Sequence, residues 1–369
     1  MPGQAPRVCQ GPHYAIVRGG CEWWFVPMVH ASFMAQEIAA APEVVARQAN
    51  ALAEPLARLV ARLAQAPPQV VVTCARGSSA HAATFGKHLI ERYLGIPVAA
   101  AAPSIASVYR SRLRLKDQLV LVISQSGKSD DLIAFAAAAH RSGAVTVAVT
   151  NDAAAPLAAV CPFVLPIGAG PELSVAATKT FVATVAALMR LTAAWAGLEE
   201  LKAALARLPP RLAAAAQLDW GAGARALKGA NSLVSIGRGP TLAMAREAAL
   251  KLKETCNLHA EAFSGAEFLH GPAALVSARY PVLMFTPSDA AATGMAELAT
   301  WLSSKGSILF ATEPAPSAPH RLSTLPADQP ESDAVCLIQS FYTMIVMLAE
   351  ELGTDIDRPR NLNKVTRTV

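Results

Sequence analysis

Charge is what this sequence has least of: only 16% of its 369 residues are Asp, Glu, Lys or Arg, and the formal net charge is +5. The basic residues read as spread along the chain, with no zinc-finger or helix-turn-helix-like segment to organise them, so a nucleic-acid partner is not expected. Paired cysteines are missing too. Cys9, Cys21, Cys74, Cys161, Cys256 and Cys336 never form a Cys-x-x-Cys, which excludes a zinc ribbon or a disulfide framework and suggests a reduced, cytoplasmic protein. Nor is there a long uninterrupted apolar run. The most apolar helical stretch, 181–198, is broken by Arg190, and the other runs fall short of the roughly 20 residues a membrane span needs, so no membrane partner is expected. Residues 1–33 lack the basic start and apolar core of a secretory signal. They read as an N-terminal extension, either a tail or a stretch upstream of a start at Met28 or Met34.

What the chain does have is a repeat. Residues 69–77 (QVVVTCARG) describe a buried strand ending in Arg76-Gly77, and 232–239 (SLVSIGRG) end in Arg238-Gly239, 162 positions on. A second strand, 119–125 (LVLVISQ), matches 281–287 (PVLMFTP) at the same offset. A third, 143–150 (GAVTVAVT), matches 306–312 (GSILFAT) one residue later. Short apolar strands separated by helical segments are covered on both faces and need crossover connections, which predicts parallel sheets flanked by helices. The fold expected is therefore α/β, with two tandem doubly wound domains. The helical pattern is expected to stop at Pro209-Pro210, which divides the chain into 34–208 and 209–354, with a tail over 355–369.

Open sheets of this kind bind ligands beyond the carboxyl ends of their strands. In the first half those positions carry Gly77-Ser78-Ser79 and Ser124-Gln125-Ser126-Gly127-Lys128-Ser129. Such turns present backbone N–H groups and the positive end of a helix dipole to an anion, and serine hydroxyls add hydrogen bonds, an arrangement suited to a sugar phosphate. The plainer alternative is that these serines are helix N-caps. No nucleotide-binding glycine motif competes. In the second half Gly239-Pro240-Thr241 lacks the serines and Pro287-Ser288-Asp289 brings an acid, so loss of the phosphate site is expected there.

Polar residues gather instead between 247 and 270. Glu247, Lys251 and Glu254 are four and three positions apart, on one helical face. That face is either a solvated salt-bridge ladder or an acid–base group; the apolar residues of the same helix leave little room for the first. His259 and Glu261 form a His-x-Glu as in zinc deaminases, but the accompanying Pro-Cys-x-x-Cys is absent, so no metal and no cofactor is expected.

Six separated stretches occur in the order found in the paired SIS (sugar isomerase) domains of glucosamine-6-phosphate synthase: 34–48, 124–127, 172–181 (ELSVAATKTF), 249–262 (ALKLKETCNLHAEA), 267–272 (EFLHGP) and 355–364 (DIDRPRNLNK). The chain resembles that family over nearly all of 34–369. The resemblance implies that Ser78, Ser79, Ser124, Gln125, Ser126 and Ser129 bind the sugar phosphate. It further implies Glu254 as the base between C1 and C2, Lys251 as its electrostatic partner, His270 as the ring-opening group and Lys364 as a tail lysine over the substrate. Lys128, Arg76 and Leu269 depart from the family pattern. With only a short segment before Met34, the glutaminase domain of the synthase is not expected. The expected activity is therefore that of a glucosamine-6-phosphate deaminase, with other 6-phosphosugar isomerases or deglycases, or the isomerase module of the aminotransferase, as neighbours. A non-catalytic phosphosugar sensor is the alternative from another class. The resemblance also implies a homodimer with shared active sites.

Overall fold

A computed structural model describes residues 32–312 and 320–364, together with the backbone of three short strands near the start. Those strands, β1 (Gln10–Gly11), β2 (Tyr14–Gly19) and β3 (Glu22–Pro27), pair antiparallel, while the rest of the expected extension over 1–33, up to residue 31, lies outside the described residues. Helix α1 (Phe33–Gln65) leads into the first unit. There β4 (Val71–Ala75), α2 (Gly77–Leu94), β5 (Val98–Ala100), α3 (Ser104–Ser107), β6 (Leu119–Ile123), α4 (Asp130–Arg141), β7 (Val145–Thr150), α5 (Pro156–Val160) and β8 (Phe163–Pro166) follow in turn. Helices α6 (Lys179–Ala196), α7 (Glu199–Ala215) and α8 (Gly221–Leu227) connect to the second unit. It comprises β9 (Ser232–Gly237), α9 (Thr241–Cys256), β10 (His259–Ser264), α10 (Gly265–Phe268), β11 (Pro281–Phe285), α11 (Ala292–Ser304), β12 (Ile308–Thr312), β13 (His320–Leu322) and α12 (Pro330–Leu352).

Both sheets are parallel and five-stranded, in the orders β5-β4-β6-β7-β8 and β10-β9-β11-β12-β13. The repeat extends to register. Val72 faces Val120 in the first sheet, and Val234 faces Val282, each 162 positions on, in the second. In both sheets the order reverses beside the first strand, so the switch points lie at the carboxyl ends of β4 and β6, and of β9 and β11. The sequence pattern predicts three strands per unit, and each sheet has two more. Those additions are β5, β8, β10 and β13, most of them too short for an apolar run to stand out. β10 follows an edge-strand alternation instead, with His259 and Glu261 exposed around buried Ala260.

Three further expectations need correction. Pro209 and Pro210 do not end a helix; α7 runs through them. Leu201, Ala204, Leu205, Leu208, Leu212 and Ala215 bury one continuous face, and that packing offsets the backbone hydrogen bonds that proline cannot donate. Among the described residues, α12 is long and apolar enough to cross a bilayer, contrary to the expectation that no segment is, but most of it lies inside the core. Finally, the basic residues are not evenly spread. Arg110, Arg112, Arg114 and Lys116 alternate along one segment, and with Arg141 they line a single surface hollow.

Helices α2 and α9, the first crossover helices of the two units, pack against each other. The residues that follow the first strand of each unit are thereby brought together.

Candidate active site

The serine loop of the first unit sits at the switch point, between β6 and α4. Gly127 has φ +61°, and a Cβ there would lie 2.6 Å from Ala155 Cβ, so only glycine allows the loop to fold back this tightly. Ser124 Oγ accepts from Gly127 N at 3.2 Å and Ser126 Oγ from Lys128 N at 3.3 Å, which leaves each hydroxyl proton to donate elsewhere. Ser129 occupies the N-cap of α4 yet makes no side-chain cap bond, and α2 likewise starts without one. The helix-cap explanation therefore does not hold for Ser129 or for the start of α2. Beside the loop, Arg76 Nε donates to buried Asp131 at 2.7 Å, so the departure at position 76 is held as an ion pair.

Glu247, Lys251 and Glu254 share one face of α9, and that face is not solvated: Glu247 and Lys251 are both 0% exposed. Burying opposite charges is costly unless each is paired and hydrogen-bonded. Glu247 meets that condition. It accepts from Ser78 Oγ at 2.9 Å, His81 Nδ1 at 2.8 Å and Tyr342 Oη at 3.3 Å, with Lys251 Nζ also 3.3 Å away. Lys251 in turn donates to Ser78 Oγ at 3.3 Å and to Glu254 Oε2. Burial pushes the Glu247 carboxyl upward, but the Lys251 charge and the His81 hydrogen bond outweigh it and hold the group below its ordinary value. Burial likewise pulls the Lys251 ammonium down, and the charges of Glu247 and Glu254 more than restore it. Glu247 and Lys251 are thus held as an ion pair, and of the three side chains Glu254 is the one that reaches solvent, with 21% of its side chain exposed.

Lys364 joins a second cluster. Its Nζ donates to Glu172 Oε2 at 3.0 Å and to Ser174 O at 2.6 Å, while Glu172 accepts from Thr178 N, Thr180 N and Thr180 Oγ1. Tyr342 stands between the clusters; burial first, then the charges of Glu247, Glu172 and Glu254, hold its phenol well above the ordinary value. The tail is anchored as well, since Asp357 caps α1 through Phe33 N and Met34 N and its carbonyl accepts from Val175 N.

Of the residues named from sequence, the structure joins Ser78, Lys251 and Glu254 directly and places Lys364 nearby. Ser79 lies in the first turn of α2, and Ser124, Gln125, Ser126 and Ser129 form the neighbouring loop. His270 lies on an exposed turn, and its side chain makes no hydrogen bond or ion pair among the described residues. Leu269 beside it is exposed too. His81, Glu172 and Tyr342 were not singled out by sequence. His81 follows Ser78 by three positions on α2, so a helical projection of the serine turn would have found it.

Fold and site together define a tandem doubly wound α/β protein with a buried, hydrogen-bonded Glu247–Lys251–Glu254 chain where its two units meet. The chain belongs to the SIS domain family, whose pattern matches residues 63–194 and 226–349. A Silicibacter pomeroyi protein described as a candidate phosphosugar isomerase is 47% identical, with a TM-score of 0.85 over 88% of this chain and 100% of its own. The glutamine–fructose-6-phosphate aminotransferase (isomerizing) of Pyrobaculum aerophilum is 33% identical over 347 residues, 90% of this chain and 57% of the relative. This chain thus spans about half the length of the curated relatives it matches. A glucosamine-6-phosphate deaminase of Thermotoga maritima shares the fold, with a TM-score of 0.69 at 22% identity over 91% of this chain and 100% of that one.

Proposed function

We propose that the chain is a phosphosugar isomerase of the SIS class acting on a 6-phosphorylated amino sugar, converting glucosamine 6-phosphate to fructose 6-phosphate and ammonia. The observation that carries this reading is the Lys251–Glu254 pair: a wholly buried cation holding a carboxylate that remains accessible. Glu254 takes the C2 proton of the open-chain amino aldose and returns it to C1 through an enolamine, with Lys251 offsetting the charge that develops. The product is a C2 imine, and water hydrolyses it to the ketose and ammonia. Ser124, Ser126 and Ser129 hold the phosphate. The names of the curated relatives support an amino-sugar phosphate, since they couple fructose 6-phosphate to amino transfer and isomerisation. His270, exposed and not bonded to the Glu247–Lys251–Glu254 chain, acts in ring opening from a second copy in a homodimer.

Incubation with glucosamine 6-phosphate is expected to yield ammonia and fructose 6-phosphate in equal amounts, without glutamine and in the presence of EDTA. Interconversion of other 6-phosphosugars with no ammonia would narrow the activity to isomerisation. Tight binding with no turnover would favour a sensor. Ser126→Ala is expected to weaken substrate binding by about 1.5–3 kcal/mol, the value of a hydrogen bond to a charged group, with the melting temperature unchanged. Unaltered affinity in calorimetry would remove the serine loop from the site.

A further inference from the structure

The second unit has its own switch point, and a cavity of about 410 Å³ opens there. Small-molecule sites occupy about 300–1,000 Å³, so the space is ligand-sized. Thr241, Thr286, Pro287 and Ser288 line it, 162 positions after Ser79, Ser124, Gln125 and Ser126. The cavity is therefore the internal duplicate of the serine-loop site, closed on its far side by Arg211 of α7 and the start of α12.

Two polar groups on its wall are left without a partner. Thr286 is 3% exposed, and its hydroxyl makes no hydrogen bond among the described residues; its backbone N–H is spent on Thr312 Oγ1 at 2.8 Å. Arg211 Nε is buried and unbonded as well, with Asp328 Oδ2 at 4.0 Å, beyond hydrogen-bond reach. Buried polar groups are nearly always paired, with protein or with something bound. Two orphans on residues that line one cavity, Thr286 at the position where the sister unit carries Ser124 and Arg211 on the far side, point to a ligand that supplies their partners.

Charge decides which ligand. Asp333 accepts from Ser288 Oγ at 2.6 Å and from Arg211 Nη2 at 2.7 Å, so the guanidinium is already matched by a carboxylate. A phosphate seated on Ser288, as it would be on Ser126, would lie against that acid. The remaining wall combines hydroxyls with Leu218, Leu325 and Leu337, a mixture that suits the hydroxyls and C–H faces of a sugar ring.

We propose that this cavity binds an uncharged, unphosphorylated sugar of hexose size. The test uses isothermal calorimetry with glucose, N-acetylglucosamine and glucose 6-phosphate on the full chain and on variants. One of the neutral sugars is expected to bind, and Thr286→Val to weaken it by about tenfold, the loss of one hydrogen bond. Because valine removes a hydroxyl that has no partner, the melting temperature of this variant should not fall. Ser288→Tyr, at the exposed rim, should block entry without disturbing the core, and it serves the same purpose if the valine variant misfolds. Ser126→Ala should leave neutral-sugar binding unchanged. The proposal is overturned if neither neutral sugar binds, if both cavity variants bind as the parent does, or if Ser126→Ala removes the binding. Glucose 6-phosphate displacing the neutral sugar in the Ser126→Ala variant would overturn it too.

Discussion

Replacing Glu254 with glutamine is expected to abolish exchange of the substrate C2 proton with solvent, even when the sugar is supplied in open-chain form. Glutamine has the size of glutamate, and its amide oxygen can still accept from Lys251, so the change removes basicity and little else. A positioned base contributes about 10²–10⁴-fold, and a loss of at least that size is anticipated in single-turnover exchange measured by NMR in deuterated water. His270→Asn is expected to behave differently, slowing turnover of the cyclic sugar while exchange from the open chain persists. If His270 serves the site of a second copy, mixed Glu254→Gln and His270→Asn subunits should recover part of the activity. Exchange that survives in the Glu254 variant would remove this residue from the base role.

Lys251→Met should be the most destabilising single change on α9. It leaves Glu247 buried and charged with only Ser78, His81 and Tyr342 as partners. Removing one member of a buried ion pair costs about 3–5 kcal/mol, well above the ordinary effect of a substitution. The pH dependence gives a second reading of the same network. Glu247 lies below its ordinary value, so its contribution is present above the unfolded carboxylate pKa and lost as pH falls through the folded one. Lys251 lies above its ordinary value, so its contribution is full below the unfolded ammonium pKa and lost as pH rises through the folded one. The parent protein should therefore weaken at both extremes. In Lys251→Met the alkaline loss disappears. There Glu247 keeps the burial that pushes its pKa up and loses the Lys251 charge that pulls it down, so acid should destabilise the variant less than the parent. Urea unfolding at several pH values checks this, and an unchanged midpoint at neutral pH would show that the network carries no net stability.

The serine turns show how far residue type alone reaches. Ser124 to Ser129 announce an anion-binding loop by their position after a strand, but a helix cap has the same composition. Whether a serine caps is a matter of side-chain geometry, and at Ser129 and at the start of α2 there is no cap bond. The polar face of α9 is a similar case. Its spacing was plain, and whether water or protein covers it was not. Helical spacing from Ser78 points to His81, but nothing in the immediate neighbours of Tyr342 marks it. They matter only because α2 and α12 deliver them to Glu247, 166 and 95 positions away.

What the sequence determined by itself is periodic and local. Apolar strand cores, the 162-residue repeat and the shared face of Glu247, Lys251 and Glu254 follow from backbone periods of two and 3.6, which any stretch of chain carries with it. The tertiary structure decided the rest. It buried that face, tied Ser78 to it across 169 positions, set Lys364 on Glu172, carried α7 through two prolines and left a hollow at the second switch point. Each of these depends on which surfaces meet and exclude water, and the free energy of burying a charge, or of tolerating a missing hydrogen bond, is set by neighbours distant in sequence.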